Sequence, residues 1–136
     1  MALLVTSALP LPGWSASRIV ELSAQNLEAV ALGDLTAYID GRTIWLKLKD
    51  GRVLRGQFEV KPGSSFGELG KSRGIDRPGG AYTSSGDLIV HGKPTFIDMT
   101  GPGGATVHCE VMHDSAINSG SGVCLFSNGA EYRVLY

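Results

Sequence analysis

Residues 106–136 read TVHCEVMHDSAINSGSGVCLFSNGAEYRVLY, and this stretch decides the fold class. Apolar and polar residues alternate through TVHCEVM, again through VCLFS and again through AEYRVLY, the period of half-buried strands. The ten residues HDSAINSGSG separate the first two runs and a turn at Asn128-Gly129 the last two, so three antiparallel strands are predicted in succession. Val107, Cys109 and Val111 share one face of the first strand, and Cys124 and Phe126 one face of the second. A three-residue loop, Ser127-Asn128-Gly129, sets Cys124 opposite Tyr132 and brings Tyr132, Val134 and Tyr136 to the same buried face. Cys109 and Cys124 then meet across the hairpin. A disulfide between them would stabilise the fold by about 3 kcal/mol in the chain-entropy model and would speak for an oxidising compartment. The other reading of the pair is two buried free thiols in a cytosolic protein.

The register argument repeats at TIWLKLKDGRVLRGQF, residues 43–58. A two-residue turn at Asp50-Gly51 would put Leu48 on the same face as Arg55. A three-residue loop, Lys49-Asp50-Gly51 with Gly51 left-handed, opposes Leu46 to Leu54 and gathers Ile44, Leu46, Leu48, Leu54, Phe58 and Val60 on one face. A buried face specifies register strongly, so the three-residue loop is predicted. Strands are expected over residues 35–39, 43–49 and 52–60, joined at Asp40-Gly41 and Asp50-Gly51, and further on over 87–91 and 94–100.

Length and composition agree. A chain of 136 residues fits one domain with a core of its own. Its 19 glycines are about twice the usual share and fall between short alternating runs, which points to many turns. The expected fold is mainly β: one antiparallel barrel-like or sandwich domain over residues 18–136 with one N-terminal helix. That helix is expected over 17–32, where Ile19, Leu22, Leu27 and Val30 follow the 3.6 period, with Ser17 as N-cap and Gly33 as terminator. Residues 1–17 carry no charge and read either as an export signal or as an unstructured or packed arm; two prolines and shortness exclude a membrane-spanning helix. Residues 61–86 show little periodicity and form a long Gly/Ser/Pro-rich loop, of the kind that is often functional, with a short strand near 80–83.

The net charge of −1 conceals an asymmetry. Between Arg42 and Arg77 stand nine basic and four acidic residues; the rest of the chain has three and nine. In the predicted register Trp45 lies opposite Arg55 and Lys47 opposite Val53 on the outward face, with Lys49 beyond. A tryptophan among cations can stack on a sugar or base while the cations hold an anionic backbone. It can equally be a surface ring covered by the Arg55 stem. Trp45, Lys47, Lys49 and Arg55, with Lys71, Arg73 and Arg77 of the long loop, are therefore the candidate binding residues.

Other motifs carry less. Cys109, His113 and Cys124 could converge on a metal, but no Cys-x-x-Cys pair anchors a zinc site, and His108 points away from Cys109, so no metal or cofactor is expected. Ser65-Phe-Gly-Glu-Leu-Gly70-Lys71-Ser72 resembles a phosphate-binding loop without its first glycine and without the helix that should follow. The three histidines and the scattered acids suggest no catalytic set. Residues 43–58 resemble the first motif of Sm-like RNA-binding folds, but the family's RNA-contacting Asp and Met-Asn region has no counterpart here. The tail from Val107 to Tyr136 is similar to that of small exported bacterial proteins of unknown function, with matching positions at Cys109, Ser119, Gly120, Gly122, Cys124, Gly129 and Tyr132. That resemblance implies an envelope location and no defined activity.

These readings favour a non-catalytic, periplasmic or secreted binding or structural module that meets an anionic polymer or an envelope protein through its basic, aromatic sheet face. The alternatives are a cytosolic Sm-like RNA-binding module and a small hydrolase using the 61–86 loop.

Overall fold

A computed structural model describes residues 18–136; the segment read as an export signal or arm lies outside the described residues. Eight antiparallel strands follow in chain order and close on themselves: β1 (Arg18–Ala24), β2 (Leu35–Asp40), β3 (Thr43–Lys47), β4 (Val53–Val60), β5 (Lys93–Thr100), β6 (Thr106–Asp114), β7 (Ser119–Phe126) and β8 (Glu131–Leu135). Each pairs with the next, and β8 returns to β1 through Leu22–Val134 and Ala24–Tyr132. The fold is a closed barrel. Closure leaves no strand edge with unpaired backbone groups.

Both hairpin registers follow the apolar faces. Leu46 stands opposite Leu54 and Trp45 opposite Arg55, and Gly51 closes the three-residue loop at φ 95° with its N–H on the Leu48 carbonyl. Cys124 stands opposite Tyr132, with Gly129 at φ 93°. Positive φ suits glycine at these two turns because no Cβ opposes it. The side chains turned inward fill the barrel. Leu22, Leu46, Leu54, Ile97, Val111 and Val134 are all buried there, so the lumen is a packed core. Cys109 and Cys124 are directly paired across β6 and β7 and form a disulfide in this core.

The helix expected over 17–32 is corrected. Its first half is β1, and only α1 (Leu27–Leu32) is helical, with Asn26 rather than Ser17 as its N-cap. The helical period requires Ile19 inside, yet Ile19 is 59% exposed while Val20 and Leu22 are buried, the alternation of a strand. Without β1, β2 and β8 would each carry a free edge. The backbone bonds gained by closure override the local pattern. Gly33 does end α1, at φ 83°, with its N–H on the Ala29 carbonyl. Ala29 is buried against the barrel, and the Tyr132 hydroxyl donates to the carbonyls of Ala29 and Gly33, so α1 caps one barrel end.

Two loop expectations also change. Residues 113–122 were expected as the β6–β7 loop, but the strands run on to Asp114 and from Ser119, leaving four residues to turn. Gly120 and Gly122 sit inside the strand because its inner face is crowded: a Cβ on Gly122 would stand 2.2 Å from the Glu110 carbonyl oxygen. Residues 87–91 form no strand. A single bridge, Tyr82–Leu88, lies within an excursion from Lys61 to Gly92 that also holds α2 (Glu68–Ser72). Gly70, Lys71 and Ser72 belong to α2 itself rather than to a loop preceding a helix, and Arg73 onward is turn, which removes the phosphate-loop geometry.

Candidate functional site

The barrel wall has two outer flanks. Over β6 and β7 lies the excursion, where Phe66 and Ile75 cover Val123, with Leu69 and Met112 packed beside them. Among the described residues, the outer face of β1 to β4 has no such cover. There the cross-strand register lines up Ile19, Tyr38, Trp45 and Arg55 in one row over four adjacent strands. Tyr38 and Trp45 are half-buried and stack with ring centroids 4.6 Å apart at 28°. The sequence reading missed Tyr38, although the short turn at Gly41-Arg42 sets it opposite Trp45.

Trp45 therefore uses one ring face on Tyr38, and no guanidinium of Arg55 stacks over its ring among the described residues. The cation over an aromatic ring among the described residues is Lys61, 5.6 Å from the Phe96 centroid. Neither Arg55 nor Lys47 takes part in a salt bridge among the described residues, whereas neighbouring Arg52 is held by Asp50 at 2.8 Å. That hydrogen bonding, led by the Arg52 backbone N–H, holds the Asp50 carboxyl below its usual range.

The seven candidate cations and aromatics do not form one patch. Trp45, Lys47 and Arg55 share the bare flank. Lys49 lies at the hairpin tip with its ammonium beside Gly33. Lys71, Arg73 and Arg77 ride on the excursion, on the far side of the barrel from β3 and β4. Arg73 is committed: its guanidinium makes a two-pronged bond to Glu131 on β8, which depresses the Glu131 carboxyl. Arg77 lines a cavity of about 370 Å³ beside Asp76, Leu88 and Met112, and Lys71 borders a shallow groove with Phe66 and Gly67.

Two of the three histidines sit in organised surroundings. His108 points outward, as its place next to Cys109 requires. Nδ1 meets Asp98 Oδ1 at 2.7 Å and Nε2 meets Glu110 Oε2 at 2.8 Å. Burial pushes its pKa down, but the hydrogen bonds to Glu110 and Asp98 outweigh this and raise it. Glu110 is only 3% exposed although it faces away from the lumen, because α2 lies over it; the Gly70 N–H donates to Oε1 at 3.0 Å. His113 lies inside the barrel at the end opposite α1. Its Nδ1 is 2.7 Å from the Tyr136 hydroxyl and its ring stands edge-on to Phe58. Burial lowers the His113 pKa and raises that of Tyr136.

The metal reading fails on the sulfurs. Cys109 and Cys124 are bonded to one another, and no metal-holding cluster of His, Cys, Asp and Glu occurs among the described residues. Both His108 nitrogens face carboxylates and so offer no lone pair to an ion. No helix among the described residues is long and apolar enough to cross a membrane. The disulfide speaks for a non-cytosolic setting. The chain matches no family model, no curated protein and no solved structure.

Proposed function

We propose that this barrel is a non-catalytic binding module of the periplasm or of the secreted fraction, and that it takes an anionic polymer on the bare flank of β2 to β4. One observation carries the reading: among the described residues, Trp45 is stacked on Tyr38 on a wall without cover, while the facing Arg55 and nearby Lys47 stay out of salt bridges. A rigid aromatic pair supplies stacking area at small entropic cost, and unneutralised cations beside it favour a chain of negative charges. The packed lumen supports a surface site over a cavity site. The disulfide weighs against the cytosolic RNA-binding alternative.

Heparin serves as the probe, followed by calorimetric titration and by retention on immobilised heparin at rising salt. Binding is expected to weaken steeply with salt, since each neutralised site releases counterions. Trp45→Ala should cost about 1–3 kcal/mol of binding, the size of one stacking contact. Arg55→Ala should weaken affinity and flatten the salt slope. Salt-independent binding, or binding unchanged in both variants, overturns the reading.

A further inference from the structure

The excursion 61–92 is held to the barrel through a carboxylate that should not be dry. Glu110 belongs to the outer face of β6, where a strand normally shows charge to water. Here α2 covers it closely: a Cβ on Gly67 would stand 2.7 Å from Oε2, and one on Gly70 2.8 Å from Oε1. Glycine at both positions lets the backbone approach the carboxylate, and the Gly70 N–H supplies one hydrogen bond at 3.0 Å. The other oxygen receives Nε2 of His108, whose Nδ1 reaches the exposed Asp98. A buried carboxylate is tolerated when it is paired and hydrogen-bonded, and is costly otherwise.

We infer that residues 61–92 form a flap latched by protonation of His108: imidazolium bridging Asp98 and Glu110 holds it closed, and loss of that proton loosens it. The charged groups facing His108 are Asp98 from β5 and Glu110 from β6; its cross-strand neighbour on β7 is Leu125, and Asp98 faces Gln57 on β4. On the flap, Glu68 and Lys71 border the outer groove and Arg73 is bound to Glu131. A neutral imidazole has one N–H for two carboxylates. Asp98 can turn to water, while Glu110 keeps its bond but loses the positive charge that offset its burial. Closing the flap takes Glu110 out of water and so favours protonated His108. By linkage, the closed state binds more protons than the open one. The latch is therefore complete below the His108 pKa of the open state, in which Asp98 and Glu110 of the barrel still flank the ring, and fades as pH rises through the higher value of the closed state. Opening uncovers Val123 and the apolar inner side of the flap, Phe66 and Ile75.

Amide exchange of the full chain, read by NMR and corrected for intrinsic rates, tests this at Gly70. Its protection should be flat at pH values below the His108 titration. Above that it should fall roughly tenfold for each pH unit by which closure raises the His108 pKa. The titration of His108 is followed by its ring proton shifts in the same samples. In His108→Gln the fall should vanish, while the barrel amides of Leu46 and Leu54 behave as in the parent. Asp98→Asn, on an exposed side chain, should move the fall to lower pH. The latch is overturned by flat Gly70 protection through the His108 titration. It is also overturned by a fall that persists in His108→Gln, stays in place in Asp98→Asn, or is shared by the barrel amides.

Discussion

The two outer flanks of one barrel wall are built on opposite terms. Under the flap, positions that strand alternation turns outward are buried: Val123 and Ser121 on β7, Glu110 on β6. On the bare flank the outward positions stay accessible, from Ile19 through Tyr38 and Trp45 to Arg55. Alternation tells which residues leave the lumen; it does not tell which of them meet water. That depends on a second layer, and among the described residues it lies over β5 to β7. The difference is that the covered flank holds the excursion to the barrel, while the other flank is left bare by the described residues.

The largest expected effect lies in the wall beneath the flap. Replacing both Cys109 and Cys124 by Ala should lower unfolding free energy by about 3 kcal/mol, since the bond closes a loop of separation 15. Urea denaturation measures it. An unchanged midpoint would mean that β6 and β7 are fastened by packing alone.

Next comes the flap itself. Gly70→Ala forces a methyl to within 2.8 Å of Glu110 Oε1 and 2.9 Å of the Phe66 ring. Overpacking of this kind costs about 1–3 kcal/mol, and here it should fall on the excursion. Trypsin should cut after Lys71 or Arg73 roughly tenfold faster for each 1.4 kcal/mol lost, with little change in the urea midpoint of the barrel. If the midpoint falls equally, flap and barrel unfold as one unit.

Much of the barrel was readable from residues alone, because its hairpins are decided by which register buries leucine. Leu46 against Leu54 and Cys124 against Tyr132 follow from that rule, and the disulfide follows from the shared inner face of Cys109 on β6 and Cys124 on β7. The rule failed at residues 18–24, where the strand and helix periods fit the apolar residues equally well. Closure decided, and closure is a property of all eight strands. The bare-flank site was half legible: Trp45 and Arg55 were paired correctly, while Tyr38 required the β2–β3 register as well. Glu110 and His108 could be placed on one face by their spacing. The burial of Glu110 could not, because α2 returns to it from 40 residues earlier in the chain.

A smaller effect separates the lumen from the flank by pH. His113 is kept neutral inside the barrel by burial, so below pH 6.5, its ordinary value, the unfolded chain takes up a proton that the folded protein resists. Its contribution is full above pH 6.5 and is lost as pH falls through that value. His108 behaves oppositely, stabilising below pH 6.5 and losing effect as pH rises. Urea midpoints between pH 7 and 5 should therefore fall less steeply in His113→Gln, which removes the buried titration and keeps a polar group beside Tyr136. A slope unchanged by the substitution would place the acid sensitivity elsewhere.

The smallest effects on stability belong to the bare flank, and their smallness is the point. Arg55→Ala removes a side chain with no salt-bridge partner among the described residues and should leave stability within about 0.5 kcal/mol. Trp45→Ala forfeits the stack on Tyr38, about 0.5–1.5 kcal/mol beyond the lost burial. If both variants fold as the parent does and only Trp45→Ala shifts the urea midpoint, any loss of heparin binding in Arg55→Ala comes from the surface alone. A large destabilisation by Arg55→Ala would instead make the bare flank a structural face, with the same duty as the covered one.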